Sequence, residues 1–132
     1  MEQVFQKDDE GCWIACVSML TGIGYDEIRS RARFRDDVVT GRSATPIVKL
    51  LDELGYDCDS RSTTLKKVKT LAKLNTDALV YLRNVASDGC EKGGHWVVWD
   101  AQLCVLRDPD GLAATRRRVI KNFRSVKTRV SG

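Results

Sequence analysis

The chain has 132 residues, of which 42% are hydrophobic and 30% charged, a composition typical of one globular domain with its own core. We therefore treat residues 1–132 as a single domain. No apolar run approaches the roughly 18 residues that a membrane-spanning helix needs, and no basic segment followed by an apolar one marks a signal peptide. Five cysteines without dense spacing favour a reduced, cytoplasmic protein over a disulfide scaffold. Export without a cleaved N-terminal signal stays open.

The net charge of +4 is unevenly distributed along the chain. Seven basic residues and no acidic ones lie between residues 113 and 132, whereas the preceding part is slightly acidic. The basic residues at 116–129 indicate either an acidic macromolecular partner or a solvated face, since Val119, Phe123 and Val126 give the segment an apolar side at helical spacing. Because the segment lacks a series of aromatic residues interleaved for base stacking, we expect no nucleic acid partner.

Helical patterns dominate the first half of the chain. Apolar and small residues at 12–21 predict a first helix that stops at Gly22. A second helix is predicted over 26–34, with Asp26 as its N-cap. A third begins at Thr45-Pro46 and ends at Gly55. A fourth follows a Thr63 or Thr64 cap. The apolar stripes of the third and fourth helices are Ile47, Leu50, Leu51 and Leu54, and Leu65, Val68, Leu71, Ala72 and Leu74.

Strand patterns dominate the second half. We predict strands over 56–61, 78–82, 95–100 and 103–108, a loop over 84–94, a turn over 108–111, a short helix over 115–123 and a last strand through Val126, Thr128 and Val130. Helices come first and strands later, without regular alternation. This order predicts an α+β fold and not a doubly wound parallel sheet.

The stretch from Gln6 to Cys16 carries the first chemical signal. Cys12 is predicted to begin the first helix, where unpaired backbone N–H groups and the positive end of the helix dipole favour a thiolate over a thiol. Gln6 lies six residues upstream, on a segment that is able to fold back and aim an amide N–H at a developing oxyanion. The alternative is a buried helix cysteine and a surface glutamine.

The only histidine, His95, begins a strand. If the strands 95–100 and 103–108 form a hairpin centred between Ala101 and Gln102, His95 lies directly opposite Asp108, and the two side chains share one face. A carboxylate there would fix the tautomer and orientation of the imidazole. Asp100 is five residues along the strand and is predicted to face the other way. A histidine–aspartate pair of this kind suits a thiol-based hydrolase.

These motifs resemble the papain-like cysteine peptidases, and most closely the bacterial bacteriocin-processing (double-glycine) peptidases and their stand-alone relatives. The matching features are Gln6, Cys12, an Ala-Cys pair ending at Cys16, the strand His95-Trp96-Val97-Val98, and Asp108-Pro109. The resemblance extends over essentially the whole chain. It implies a papain-like fold, in which an N-terminal helical part with the nucleophile helix packs on a C-terminal antiparallel sheet.

The resemblance also implies roles for individual residues. Cys12 would be the nucleophile, His95 the general base and acid, and Asp108 the residue that orients His95. Gln6 and the Cys12 N–H would form the oxyanion hole. The implied reaction is acyl transfer from a peptide or amide of a peptide or protein substrate through a thioester, without a metal or other cofactor. The bacteriocin peptidases usually have Asp before and Gly after the nucleophile, whereas Gly11 and Trp13 stand here, the latter as in papain.

Several alternatives remain open at the level of the sequence. The same fold hosts deamidases and transglutaminases, and an inactive papain-like module that binds a partner would share the pattern. A zinc site built from Cys12, Cys16, Cys90, His95 and Cys104 has enough ligands but lacks the tight spacing of a zinc knuckle. Cys58 is interpreted as a half-buried strand residue.

Overall fold

Three helices precede six strands in the computed structural model, which describes residues 1–7, 11–32, 44–64, 68–85, 91–111 and 118–128. The helices are α1 (Cys12–Thr21), α2 (Tyr25–Ala32) and α3 (Ala44–Glu53). The strands are β1 (Tyr56–Cys58), β2 (Thr63–Thr64), β3 (Asp77–Val85), β4 (Glu91–Asp100), β5 (Val105–Arg107) and β6 (Arg118–Thr128), with a 3-10 helix over Val68–Lys73 between β2 and β3. The predicted α+β class is confirmed.

All six strands belong to one antiparallel sheet. The strand order is β1-β6-β3-β4-β5, and β2 also pairs with β6. The last strand of the chain therefore lies inside the sheet, between β3 on one side and β1 and β2 on the other. None of the helices in the described ranges is long and apolar enough to cross a membrane.

Both faces of the sheet are covered by apolar side chains. Leu79, Trp96, Val98 and Val126 pack with the helices in one hydrophobic cluster. Val80, Val97, Trp99 and Phe123 form a second cluster on the opposite face, together with Leu71 of the 3-10 helix. Side chains alternate between the faces of a strand, so neighbouring residues of β4 serve different clusters.

Helix α1 confirms the predicted range of residues 12–21. Its residues from Trp13 to Leu20 are all buried, as expected for a helix that is apolar on every side. Gly22 ends the helix with a φ of 76°, and its N–H donates to the Ser18 carbonyl at 2.9 Å. Glycine adopts this left-handed conformation without a steric penalty.

Helix α2 begins at Tyr25, so the prediction that Asp26 caps it is wrong. Asp26 lies inside the first turn, where its negative charge interacts favourably with the positive end of the helix dipole. Its carboxylate also accepts a hydrogen bond from Lys7 Nζ at 3.1 Å. The predicted residues 33 and 34 lie outside the described residues. Ile28, on the predicted apolar side, is completely buried.

Helix α3 starts at Ala44, which places Pro46 in the first turn, where its missing N–H costs no hydrogen bond. The predicted stripe is confirmed, because Ile47, Leu50 and Leu51 are buried and Leu54 packs against the same cluster. Gly55 follows the helix with a φ of 91°. Strand β1 is shorter than predicted and ends at Cys58.

Two predicted helices and one predicted loop are wrong. Thr63 and Thr64 pair with β6 instead of capping a helix, and residues 68–73 form a six-residue 3-10 helix. Residues 118–123 belong to β6 instead of a helix. Phe123 and Val126 are buried on opposite faces of the sheet, and a strand covered on both faces lacks the alternation that identifies strands in a sequence. The predicted loop over 84–94 is shortened by β3 and β4, and residues 86–90 lie outside the described residues.

The basic segment contributes to this internal strand. Lys121, Arg124 and Lys127 lie on β6, and Arg124 Nη1 donates to the Asp59 carbonyl at 3.1 Å. Residues 116, 117 and 129 lie outside the described residues. The expected acidic partner stays a prediction.

Candidate active site

Cys12 is the first residue of α1 and is partly exposed. The N-cap residue is Gly11, which has no side chain to cap the first turn, so backbone N–H groups stay available beside the thiol. Cys16, one turn later, is completely buried, and this burial together with the nearby Cys12 raises the pKa of its thiol well above the ordinary value. The helix therefore leaves one cysteine partly exposed at its N-terminus and buries the other in the core.

His95 and Asp108 are in contact, as predicted. His95 Nε2 lies 2.7 Å from Asp108 Oδ1, and both side chains are buried. Burial alone would lower the pKa of His95, but hydrogen bonds with Asp108 and with the Cys12 side chain raise it to about 9. Burial would likewise raise the pKa of Asp108, but its hydrogen bond with His95 lowers it to about 2. The pair is therefore an imidazolium and a carboxylate at neutral pH.

The Cys12 side chain lies close enough to the same imidazole to contribute to its raised pKa. Because Asp108 engages Nε2, Nδ1 is the ring nitrogen left to interact with the thiol. The three side chains thus form a chain in the order Cys12, His95, Asp108, with the imidazole in the middle. An imidazole placed in this way takes a proton on one nitrogen while the other is held by a carboxylate.

The hairpin register that led to this contact is wrong by two residues. Trp99 pairs with Leu106 and Asp100 with Val105, so the turn is the four residues from Ala101 to Cys104. A shift of two residues keeps every side chain on the same face, and Asp108 still reaches His95 from just beyond the end of β5.

Asp100 explains the longer turn. Its Oδ1 accepts from the backbone N–H groups of Gln102 at 3.1 Å and Leu103 at 3.4 Å, and its Oδ2 accepts from Arg107 Nε at 2.9 Å. Burial would raise the pKa of Asp100, but the hydrogen bonds from Arg107 and Leu103 lower it. Asp100 is thus a structural residue of the hairpin, separate from the His95 pair as predicted. Cys104 closes the turn with a φ of 54°.

Gln6 is held near Asp108 by its own backbone. Its N–H donates to the Pro109 carbonyl at 2.8 Å, and Gln3 Nε2 donates to the Asp108 carbonyl at 3.0 Å. Further along, Lys7 bonds to Asp26 of α2. The N-terminal segment therefore runs from the Asp108 turn to the helical part, and it carries a half-buried Gln6. The oxyanion-hole role of Gln6 stays a prediction.

Asp110 is a residue of this site that the sequence analysis missed. Its Oδ2 lies 3.8 Å from His95 Nε2, and its backbone N–H donates to Asp108 Oδ1 at 3.0 Å. It was treated only as part of the turn 108–111, which is confirmed by the hydrogen bond from the Gly111 N–H to the Asp108 carbonyl at 3.2 Å. The available signal was a second carboxylate two residues after the first.

Gly94 has a structural reason to be glycine. A Cβ at this position would overlap the ring and hydroxyl of Tyr81, whose ring also packs against Trp96 with centroids 4.8 Å apart. The packing of Tyr81 is therefore sufficient to explain why position 94 is glycine.

Among the described residues, those proposed for a zinc site do not form one group. Cys16 is buried in the core, Cys104 is exposed in the β4–β5 turn, and Cys90 lies outside the described residues. In the described part of the chain, one group places three potential ligand atoms within 4.8 Å of one another, and it consists of His95, Asp108 and Asp110.

A second concave region lies at the far end of β4. This pocket has a volume of about 630 Å³, and its lining includes Asp77, Gln102, Cys104 and Lys127. His95 is absent from the lining, and it is the only histidine of the chain. The Cys104 thiol in this pocket therefore has no imidazole base beside it. The combination of nucleophile, base and carboxylate points to the N-terminus of α1 as the candidate active site.

Comparison of the chain with protein-family models, with curated proteins and with solved structures gave no match. The papain-like family therefore remains an interpretation of the residues and their geometry, and the assignment of a function depends on the chemistry of Cys12, His95 and Asp108.

Proposed function

We propose that the chain is a cysteine-nucleophile hydrolase of papain-like type that cleaves a peptide or amide bond through a thioester. The observation that carries the proposal is the contact of His95 Nε2 with Asp108 at 2.7 Å, made by an imidazole that also interacts with the half-exposed Cys12. Nucleophile, base and orienting carboxylate are the parts that this chemistry requires.

The reaction starts from a thiolate–imidazolium pair, in which the thiol proton of Cys12 has already passed to His95 Nδ1. The thiolate attacks the carbonyl carbon, and the oxyanion is stabilised by the Cys12 N–H and the Gln6 side chain. His95 then donates its proton to the leaving nitrogen, and the C–N bond breaks to leave a thioester on Cys12. Water, deprotonated by His95, hydrolyses the thioester and regenerates the thiol. Asp108 holds the imidazole through both steps.

The departures from the bacteriocin-processing pattern fit this assignment. Gly11, in place of the usual aspartate, leaves the first turn of α1 without an anionic cap that would repel the thiolate. Trp13 is 1% exposed, so the residue after the nucleophile anchors the helix in the core. The substrate of the transporter-linked peptidases, a leader that ends in two glycines, is not carried over to this chain.

The first experiment measures the mass of the protein after brief treatment with iodoacetamide across a range of pH values. We expect rapid alkylation of Cys12 at mildly acidic pH, because a thiolate–imidazolium pair keeps the nucleophile deprotonated. Cys58 is an internal control, since burial raises the pKa of its thiol to about 11. In His95→Ala the fast reaction should be lost. Alkylation of Cys12 only at alkaline pH would overturn the proposal.

The second experiment identifies the reaction. The protein is incubated with a mixture of unstructured peptides, and the products are analysed by mass spectrometry. New peptide termini mean proteolysis, whereas a gain of about 1 Da in an intact peptide means hydrolysis of a side-chain amide by a deamidase. Both products should be absent with Cys12→Ala. A reactive Cys12 with no turnover of peptides or protein mixtures would favour an inactive binding module.

A further inference from the structure

We propose that Asp110 is a positioning residue of the candidate active site, whose carboxylate, beside the Asp108–His95 pair, stabilises the protonated imidazole. Its Oδ2 lies 3.8 Å from His95 Nε2, and its side chain is 13% exposed. An anion this close to a sheltered imidazolium is screened weakly by solvent. The catalytic part of this inference rests on the proposed function, whereas the effect on His95 stands without it.

The turn gives Asp110 two separable contributions. Its backbone N–H donates to Asp108 Oδ1, the same oxygen that contacts His95 Nε2. This hydrogen bond fixes the acceptor atom and survives a change of side chain. The side chain places a second carboxyl group next to the imidazole and also interacts with the Asp108 side chain, whose pKa it helps to lower. The Gly111 N–H, donating to the Asp108 carbonyl, keeps the turn closed and holds both contributions in place.

Among the charged and titratable groups around His95, the carboxylates of Asp108 and Asp110 are the main ones that stabilise its protonated form. Cys12 approaches from α1, with the buried Cys16 one turn below it. On β3, His95 pairs with Leu82, and the neighbouring Arg83 is exposed. The turn supplies Asp108 and Asp110. From the N-terminal segment, Lys7 bonds instead to Asp26 of α2.

A second carboxylate has a specific use in the proposed reaction. The imidazolium is stabilised by the Cys12 thiolate before attack, but this negative charge moves to the carbonyl oxygen when sulfur bonds to the substrate carbon and the C=O π bond breaks. The proton on Nδ1 must then stay on the ring until the leaving nitrogen takes it. Asp108 and Asp110 together retain negative charge beside the ring during that interval, because neither takes part in bond formation.

The test follows the NMR titration of His95, which is resolved without assignment because the chain contains one histidine. Asp110→Asn keeps the backbone N–H and nearly the same volume while removing the charge. We expect it to lower the pKa of His95 by about 1 unit, and Asp110→Glu to restore most of the shift. Asp57→Asn removes an equal charge from an exposed position on β1, at the other edge of the sheet, and should leave the pKa unchanged.

A pKa in Asp110→Asn that matches the Asp57→Asn control would overturn the proposal. All titrations are performed in EDTA and repeated with added Zn²⁺, since the same three residues offer ligand atoms to a cation. An effect of Asp110→Asn that occurs only with Zn²⁺ would assign the residue to metal binding and would also overturn it. Repeating the titration in Cys12→Ala separates the two proposals, because the shift should persist in a protein that has no nucleophile.

Discussion

The Arg107 guanidinium donates to Asp100 Oδ2 across the β4–β5 hairpin, with both Nε and Nη2 at 2.9 Å from this oxygen. Asp100 is 1% exposed, so the pair is sheltered from water. The same hairpin continues on one side into the strand end that carries His95 and on the other into the turn that carries Asp108. This ion pair therefore braces the hairpin that carries both residues of the candidate site.

Removing the Asp100 carboxylate should destabilise the protein strongly. Asp100→Ala would leave a partly buried guanidinium and two turn N–H groups without their acceptor, and we expect a loss of about 3 kcal/mol in the free energy of unfolding. Urea denaturation measures the loss. The double variant Asp100→Ala with Arg107→Met should recover part of it, because no unpaired charge remains. A loss below about 1 kcal/mol in the single variant would contradict this role.

Stability should fall as the pH rises from about 6.5 to 9. The pKa of His95 in the folded protein is raised to about 9. The stability that protonated His95 adds to the fold is therefore fully present below the ordinary histidine pKa, and it is lost as the pH rises through the folded-state pKa. We expect a loss of about 2–3 kcal/mol between these limits. Urea unfolding at pH 6 and pH 9 measures it, and His95→Gln should lose much less. Cys12→Ser, measured in parallel, separates the contribution of the thiol.

The acid side should show the opposite dependence. The pKa of Asp108 is lowered to about 2, so its contribution is present above the ordinary aspartate value of about 4 and is lost as the pH falls towards the folded value. Asp108→Asn should flatten this limb of the pH–stability curve. An unchanged acid limb in the variant would mean that Asp108 does not carry the ion pair.

Gly94→Ala should destabilise the protein through overpacking. The added Cβ would overlap the side chain of Tyr81 on β3, whose ring packs against Trp96. We expect a loss of about 1–3 kcal/mol in the free energy of unfolding. Gly24→Ala is the matched control, because a Cβ there meets nothing within 4 Å. Thermal or urea unfolding compares the two. The cost of Gly94→Ala should shrink in a Tyr81→Ala background, and equal costs in both backgrounds would sink the explanation.

Gln6→Ala should separate binding of the oxyanion from formation of the nucleophile. If Gln6 donates to the oxyanion, turnover of a peptide substrate falls by about 10²–10³, whereas alkylation of Cys12 by iodoacetamide keeps its rate. The main-chain hydrogen bond to Pro109 is retained, so the fold is preserved. Gln3→Ala, on the same segment, is the control. A parallel loss of alkylation would point to a structural role.

The sequence was sufficient to predict those elements whose signals are local. The run from Cys12 to Gly22 was enough to predict α1, because a continuous apolar helix and a glycine that ends it can both be recognised from neighbouring residues alone. The His95–Asp108 contact was also predicted correctly, since a two-residue error in register leaves strand parity intact.

The incorrect predictions share one physical cause, because each depended on residues that are distant in the sequence. The first part of β6, residues 118–123, was taken for a helix, although its end at Val126 and Thr128 was predicted as a strand. Phe123 and Val126 face opposite, equally apolar sides of the sheet, an arrangement that only the tertiary structure creates. The length of the β4–β5 turn depends on Asp100 and its capping of backbone N–H groups, which a count of turn residues does not reveal. Asp110 was overlooked because its proximity to His95 follows from that same turn.

The position of β6 separates the order of the strands in the sequence from their order in the sheet. Strands β1 and β2 both pair with it, and β3 is flanked by it on one side, although all three precede it in the sequence. Until β6 pairs, β1, β2 and one side of β3 therefore lack a neighbour. Unpaired strand edges invite association with other chains, so the pairing of β6 is the step that protects three strands of this sheet at once.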